Sequence, residues 1–170
     1  MYFKYSDTEL KKLAKSLVIT YDTREQENSH ILEYFDSKKI AYKKEKMNTG
    51  DYGIFLPQSE ELSVVRDTYF ECVVERKNSI DELASSIKEE RFENELIRSQ
   101  GLNFIVLVED VYENLVNGNY RSQYNKDALI ARIKSFEARY GFTTVFVPKL
   151  FSGHYIQRHL LYMARNELKG

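Results

Sequence analysis

Five acidic residues, Asp22, Glu25, Asp51, Glu75 and Asp81, fall at the ends of apolar runs or in the turns beside them. In α/β proteins functional groups collect at such positions. Glu75 and Lys77 stand two apart, so on an extended strand they share a face. Asp51 opens the neighbouring predicted strand. An Asp, then a Glu-x-Lys on the adjacent strand, gathers two carboxylates and an ammonium around one point. Carboxylate oxygens suit a hard ion, Mg²⁺ or Mn²⁺, which keeps several waters and accepts phosphate oxygens as ligands. Such an ion lowers the pKa of a bound water and offsets charge on a phosphate. A lysine nearby orients or deprotonates that water. Asp22 would complete the shell of the ion. This is the equipment of phosphodiester hydrolysis. The same residues also read as surface ion pairs and as the polar approach to a helix cap, because loosely spaced polar triplets recur by chance.

The elements that must position these residues are legible from period and punctuation. Ser6 and Glu9 form a capping box that opens a short basic helix to about Lys15. Leu17 to Asp22 is an apolar run of buried-strand type. Asn28 or Ser29 caps a helix carrying Ile31, Leu32 and Phe35, ending near Lys39. Ile40 to Met47 and Asp51 to Leu56 read as strands joined by an Asn48-Thr49-Gly50 turn, which predicts a hairpin. Pro57 to Asp67 is a polar loop, and Tyr69 to Glu75 a third adjacent strand. Ser79 and Glu82 open a long helix to about Arg98. Asn103 to Glu109 is the most apolar strand, expected at the centre and covered on both faces. Asn125 caps a helix with Leu129, Ile133, Phe136 and Tyr140 on one face, stopped by Gly141. Thr143 to Val147 is a strand, and Ser152 to about Leu168 a closing amphipathic helix. This order implies an α/β fold with a mixed sheet and helices on both faces.

The full string is more specific than its parts. Tyr21-Asp-Thr-Arg-Glu25, then Gly50-Asp51, then Glu75-Arg-Lys-Asn-Ser-Ile-Asp81, resembles the nuclease domain of XPF-type structure-specific endonucleases. That family carries D-x-R-E after its first strand, then G-D, then E-R-K-x-x-x-D, in this order. The resemblance runs from about Leu17 to the C-terminus. It implies a restriction-endonuclease-like three-layer fold of the PD-(D/E)xK type. It implies Asp22, Asp51 and Glu75 as ligands of Mg²⁺ or Mn²⁺, and Lys77 as the catalytic lysine. Arg24, Glu25, Arg76, Asp81 and Arg91 match supporting positions, for orientation of the ligands and contact with substrate phosphate. The implied activity is endonucleolytic cleavage of branched, flapped or junction DNA in repair, recombination or replication. Two alternatives stand beside it: a non-catalytic DNA-binding or scaffold subunit, and a resolvase or restriction-like nuclease on the same core.

Two features depart from the family pattern. Its members usually add a tandem helix-hairpin-helix module, and some a helicase domain; neither is expected in residues 1–170, read as one nuclease domain with an N-terminal helical extension over 1–16. The segment between Asp51 and Glu75 is also longer than usual. A partner, helicase or DNA-binding subunit, would then supply the missing module. The compact stand-alone form suits a phage or mobile-element protein. The family dimerises through its last helices, and the apolar residues Ile133, Phe136, Tyr140, Tyr155, Ile156, Leu160 and Met163 predict a homodimer there.

Other residue types are read more plainly. Lys38, Lys39, Lys43, Lys44 and Lys46 form one basic cluster and Lys4, Lys11, Lys12 and Lys15 another; each tracks phosphate or is a solvated face. Arg91 and Arg98 lie seven apart on one predicted helix, among glutamates. His30, His154 and His159 lack the spacing of a metal set. Cys72, the only cysteine, is a core residue, which with the absence of an apolar leader predicts a reducing, cytoplasmic setting without membrane anchorage. The tyrosines pack the core or its rim, or stack on unpaired bases.

The chain carries 25 basic and 26 acidic residues, a formal net charge of −1, which excludes capture of nucleic acid by bulk positive field. Residues 1–50 carry +2, residues 51–100 carry −6 and residues 101–170 carry +3. The acidic excess coincides with Asp51, Glu75 and Asp81. Neutrality therefore fits a protein that engages DNA locally, through an ion and a few cations, with low affinity that falls with salt and rises with Mg²⁺.

Overall fold

A computed structural model describes residues 5–170; Lys4 of the second basic cluster lies outside them. The described residues divide into two compact units, residues 5–73 with 153–170, and residues 74–152.

The first unit is built on β1 (Val18–Asp22), β2 (Tyr42–Glu45), β3 (Tyr52–Leu56) and the short β4 (Thr68–Tyr69). Strand β1 pairs with β2 in parallel and with β3 antiparallel, and β3 pairs with β4. The expected hairpin between β2 and β3 does not form. Helix α2 (Ser29–Ser37) carries the chain from β1 over to β2, so β2 joins β1 in parallel, and β3 takes the other edge of β1. Period and turn residues specified two strands but not their partner.

Three helices belong to this unit. Ser6 caps α1 (Asp7–Ser16) with both bonds of the capping box. Asn28 does not cap α2 with its side chain; it is buried and donates to the Tyr52 hydroxyl at 3.3 Å. Helix α7 (Ser152–Lys169) buries Ile156, Leu160, Ala164 and Leu168, one side chain every fourth residue. At its start Gly153 lies against Tyr34 of α2: a Cβ there would stand 2.9 Å from Tyr34 Cβ. Only a residue without a side chain permits that approach.

The second unit carries β5 (Cys72–Lys77, from Val74), β6 (Asn103–Val108) and β7 (Thr143–Phe146) in the order β5-β6-β7. The β6–β7 pair is parallel. The Glu109 N–H donates to the Lys77 carbonyl at 2.9 Å, so β5 and β6 end side by side. Every residue of β5 is buried, and all of β6 except Asn103. The predicted strand 69–75 is thus two elements: Tyr69 ends β4, and β5 begins at Cys72.

The expected long helix is also two, α3 (Ile80–Ser86) and α4 (Glu90–Arg98), broken at residues 87–89. Ser79 accepts from the Glu82 N–H at 3.0 Å, while Glu82 reaches back to the Asn78 N–H rather than that of Ser79. A short helix α5 (Tyr112–Asn117) precedes α6 (Lys126–Tyr140) and was not expected. Asn125 caps α6, and Gly141 ends it with φ of 73°. No helix of the described residues is long and apolar enough to cross a membrane.

Candidate active site

In the first unit Asp22, Arg24, Glu25 and Asp51 meet at one corner of the sheet. Asp22 closes β1, and its N–H donates to the Asp51 carbonyl at 2.8 Å. The Glu25 N–H folds back onto the Asp22 carbonyl at 3.0 Å. Asp22 is only 1% exposed. Its Oδ2 accepts from the Arg24 N–H (3.2 Å) and Nε (2.8 Å), and its Oδ1 from the Met47 N–H (2.8 Å). Arg24 Nη2 also donates to the Met47 carbonyl at 3.1 Å.

Burial acts to raise the Asp22 carboxyl pKa, and is the largest single effect. The bonds from the Arg24 side chain, the Met47 N–H and the Arg24 N–H together outweigh it, so the value lies below the ordinary aspartate range. Asp22 is held as an anion. A carboxylate has about four acceptor sites, so capacity for a cation remains.

In the second unit Glu75, Arg76 and Lys77 are the last three residues of β5. Lys77 Nζ lies 3.3 Å from Glu75 Oε1 and 4.8 Å from the centre of the Phe92 ring on α4. A buried ammonium is tolerated only with such partners. Arg76, between them, points to the opposite face, as strand geometry requires. Its Nη1 bonds Glu109 Oε1, while the Ser152 hydroxyl donates to Glu109 Oε2 at 2.6 Å. All three side chains are buried. Asp81, in the first turn of α3, accepts from the Ser122 N–H at 2.7 Å and ties down the loop before α6. Arg91 is exposed on α4, whereas its neighbour Phe92 is buried.

Sequence reasoning passed over Glu109, Phe92, Ser152, Ser122 and Met47. Glu109 carries the same signal as Asp22, an acid closing an apolar strand. Met47 and Ser122 act through backbone N–H groups, which leave no trace in residue type.

Asp22 with Asp51, and Glu75 by itself, offer oxygen donors of the kind a hard divalent ion takes. Among the described residues no three His, Cys, Asp or Glu side chains form a group that could hold a metal ion as they stand. Magnesium is commonly held by only one or two carboxylates, with water and substrate phosphate completing its shell. The donor chemistry therefore fits, with a substrate needed to finish the site.

The model of the ERCC4 domain matches residues 21–158, a span containing all three motifs. The chain belongs to the ERCC4 domain family. Among solved structures, this ERCC4 domain is similar to XPF from Aeropyrum pernix, with 19% identity over 87% of the chain and a TM-score of 0.62. It is similar also to XPF from Aeropyrum pernix in complex with DNA, with 19% identity over 88% of the chain and a TM-score of 0.60. The chain spans 65% of the length of either structure's chain. These likenesses show the fold, an α/β fold with a mixed sheet flanked by helices, as the motifs implied. No curated protein sequence matches.

Proposed function

We propose that this ERCC4 domain is a metal-dependent endodeoxyribonuclease acting on branched, flapped or junction DNA. The observation that carries the reading is the buried Glu75–Lys77 pair at the end of β5, within the E-R-K-x-x-x-D string of the family. Burial of an ion pair seldom adds stability, because desolvation offsets the attraction. Its presence in a strand is better explained by chemistry. DNA as substrate is supported by the similar XPF structure that holds DNA.

Asp22, Asp51 and Glu75 would hold Mg²⁺ or Mn²⁺. When bound, the ion supplies an activated water and offsets charge on the phosphate. Asp22 is suited to that role because its three donors keep it ionised. Lys77 is a fixed hydrogen-bond donor, oriented by Glu75 and Phe92, and serves to align the attacking water and balance negative charge. Arg24 steadies Asp22. Arg76 and Asp81 act from behind, the first anchoring the strand and the second the loop before α6. Glu25 and the exposed Arg91 are the candidates for substrate contact. Ile133, Phe136, Ile156 and Leu160 are buried within the chain itself, so a homodimer through α6 and α7 would have to use other residues of these helices; a monomeric mass by light scattering at micromolar concentration would exclude it.

The test is cleavage of labelled flap, fork and plain duplex DNA with Mg²⁺ by the native protein, Asp51→Ala and Lys77→Ala. Cleavage of the branched substrates by the native protein alone is expected; equal activity in all three proteins overturns the assignment. A second reading is a non-catalytic DNA-binding subunit. It predicts binding to the same panel without cleavage.

A further inference from the structure

Strand register in the first unit places a second set of groups on the face that carries Asp22. Side chains alternate along a strand, so Val18, Thr20 and Asp22 share one face of β1. Residues in register across a sheet lie on the same face. Phe55 opposes Val18, Tyr69 opposes Phe55, Lys43 pairs with Thr20 and Glu45 with Asp22.

On this face the Tyr69 ring stacks on Phe55, with centroids 4.9 Å apart and planes inclined by 15°. The Tyr69 hydroxyl donates to Glu45 Oε1 at 2.7 Å. That bond, with burial behind it, pushes the phenol pKa up to about 12, so the bond persists at any physiological pH. Yet Tyr69 is 51% exposed. One ring face is covered by Phe55. The exposed Lys43 places its ammonium 5.8 Å from the centre of the Phe55 ring.

A tyrosine that only sealed the core would gain by turning its ring inward. Here the ring is clamped from beneath and at its tip, about half of the residue is left to solvent, and a cation lies over the Phe55 ring on which it stacks. We propose that Tyr69 is a stacking platform for an unpaired base of single-stranded DNA, with Lys43 receiving a backbone phosphate. Aromatic stacking is sequence-tolerant because every base has a π-face, and a neighbouring cation tracks the backbone. The platform reaches Glu45, one strand from Asp22 in register, so a strand lying on it leads toward the acidic corner. This deepens the proposed nuclease function and rests on it: the single-stranded arm of a branched substrate is what the platform would hold.

The absence of tryptophan from the chain gives a direct probe. Tyr69→Trp introduces a single indole, large enough to keep the stack. Its fluorescence is titrated with a short oligothymidine in EDTA at low salt, alongside anisotropy of the labelled oligonucleotide with native protein, Tyr69→Phe, Tyr69→Ala and Lys43→Ala. The expected results are quenching that saturates, near-native affinity for Tyr69→Phe, and affinity on the order of tenfold weaker for Tyr69→Ala. An oligonucleotide of abasic sites should bind the native protein, Tyr69→Phe and Tyr69→Ala alike, and Lys43→Ala more weakly, because its phosphates remain. Lys43→Ala should lower the slope of log affinity against log salt by about one. No quenching, or undiminished binding by Tyr69→Ala, overturns the platform while leaving the nuclease reading intact if flap cleavage persists. Absence of binding to any DNA by the native protein overturns both.

Discussion

The acidic corner of the first unit and the end of β5 in the second hold their charges by different means. Asp22 is stabilised by N–H donors, two from the backbone and one from an arginine that is itself 63% exposed. The charges of β5 are balanced by one another and by Glu109, in side chains no more than 9% exposed. A carboxylate held by backbone dipoles tolerates loss of one side chain. A buried network does not, because each deletion strands the opposite charge. The corner is therefore the more adjustable of the two regions, and the strand end the more rigid.

The largest effect that would separate the two regions is expected at Glu109. Glu109→Ala removes the carboxylate that meets Arg76 and Ser152 and should cost about 3–5 kcal/mol of stability by urea denaturation. A loss under about 1 kcal/mol would show the network to be solvated after all. Next, Lys77→Ala should lower the rate of metal-dependent cleavage at least hundredfold, on the scale of losing one electrostatic donor. Circular dichroism should show the variant still folded, although less stable because Glu75 loses its partner. Full activity in that variant would remove β5 from the chemistry.

Packing within the first unit gives a smaller effect. Alanine is the better helix former by up to about 1 kcal/mol, but in Gly153→Ala the methyl meets Tyr34 Cβ, and overpacking costs about 1–3 kcal/mol. A net loss of about 1–2 kcal/mol is expected in thermal unfolding; a gain would mean that α2 and α7 yield freely.

The smallest change is expected for Arg24→Ala, under about 1 kcal/mol at neutral pH because the pair is largely exposed on the arginine side. Its signature is pH dependence. The native Asp22 carboxyl titrates below its unfolded value of about 3.9. It contributes stability above that value, and the contribution is lost as pH falls through the depressed native one. Without Arg24 the loss should begin at higher pH. An unchanged acid limb would assign the depression to the backbone donors alone.

Several elements were legible because their cause is local. The Ser6–Glu9 box, the Asn125 cap and the Gly141 stop each depend on residues within one turn, and each appears in the structure. The β2–β3 hairpin misread a non-local fact: which strand β2 meets is decided by α2, not by the Asn48-Thr49-Gly50 turn. The break at residues 87–89 lies within polar sequence of good helix formers, and no glycine or proline marks it. Motif spacing brought forward Asp22, Asp51, Glu75 and Lys77. It was silent on Phe92 and Glu109, since a ring beneath an ammonium and a carboxylate behind an arginine are contacts between elements far apart in sequence.

The first unit takes its last helix, α7, from residues translated after the whole second unit. As the chain emerges from a ribosome, residues 74–152 are complete before Tyr34 has received Gly153 or Asp7 has met Lys169, which ends 3.9 Å away. The usual order, in which the earlier-made part folds first, is then reversed: the later-made unit is free to close while the earlier one waits. Stalled nascent chains ending near residue 152, once clear of the exit tunnel, should resist protease over 74–152 and yield within residues 5–73. Protection of both segments at that length would show that the first unit closes without its final helix.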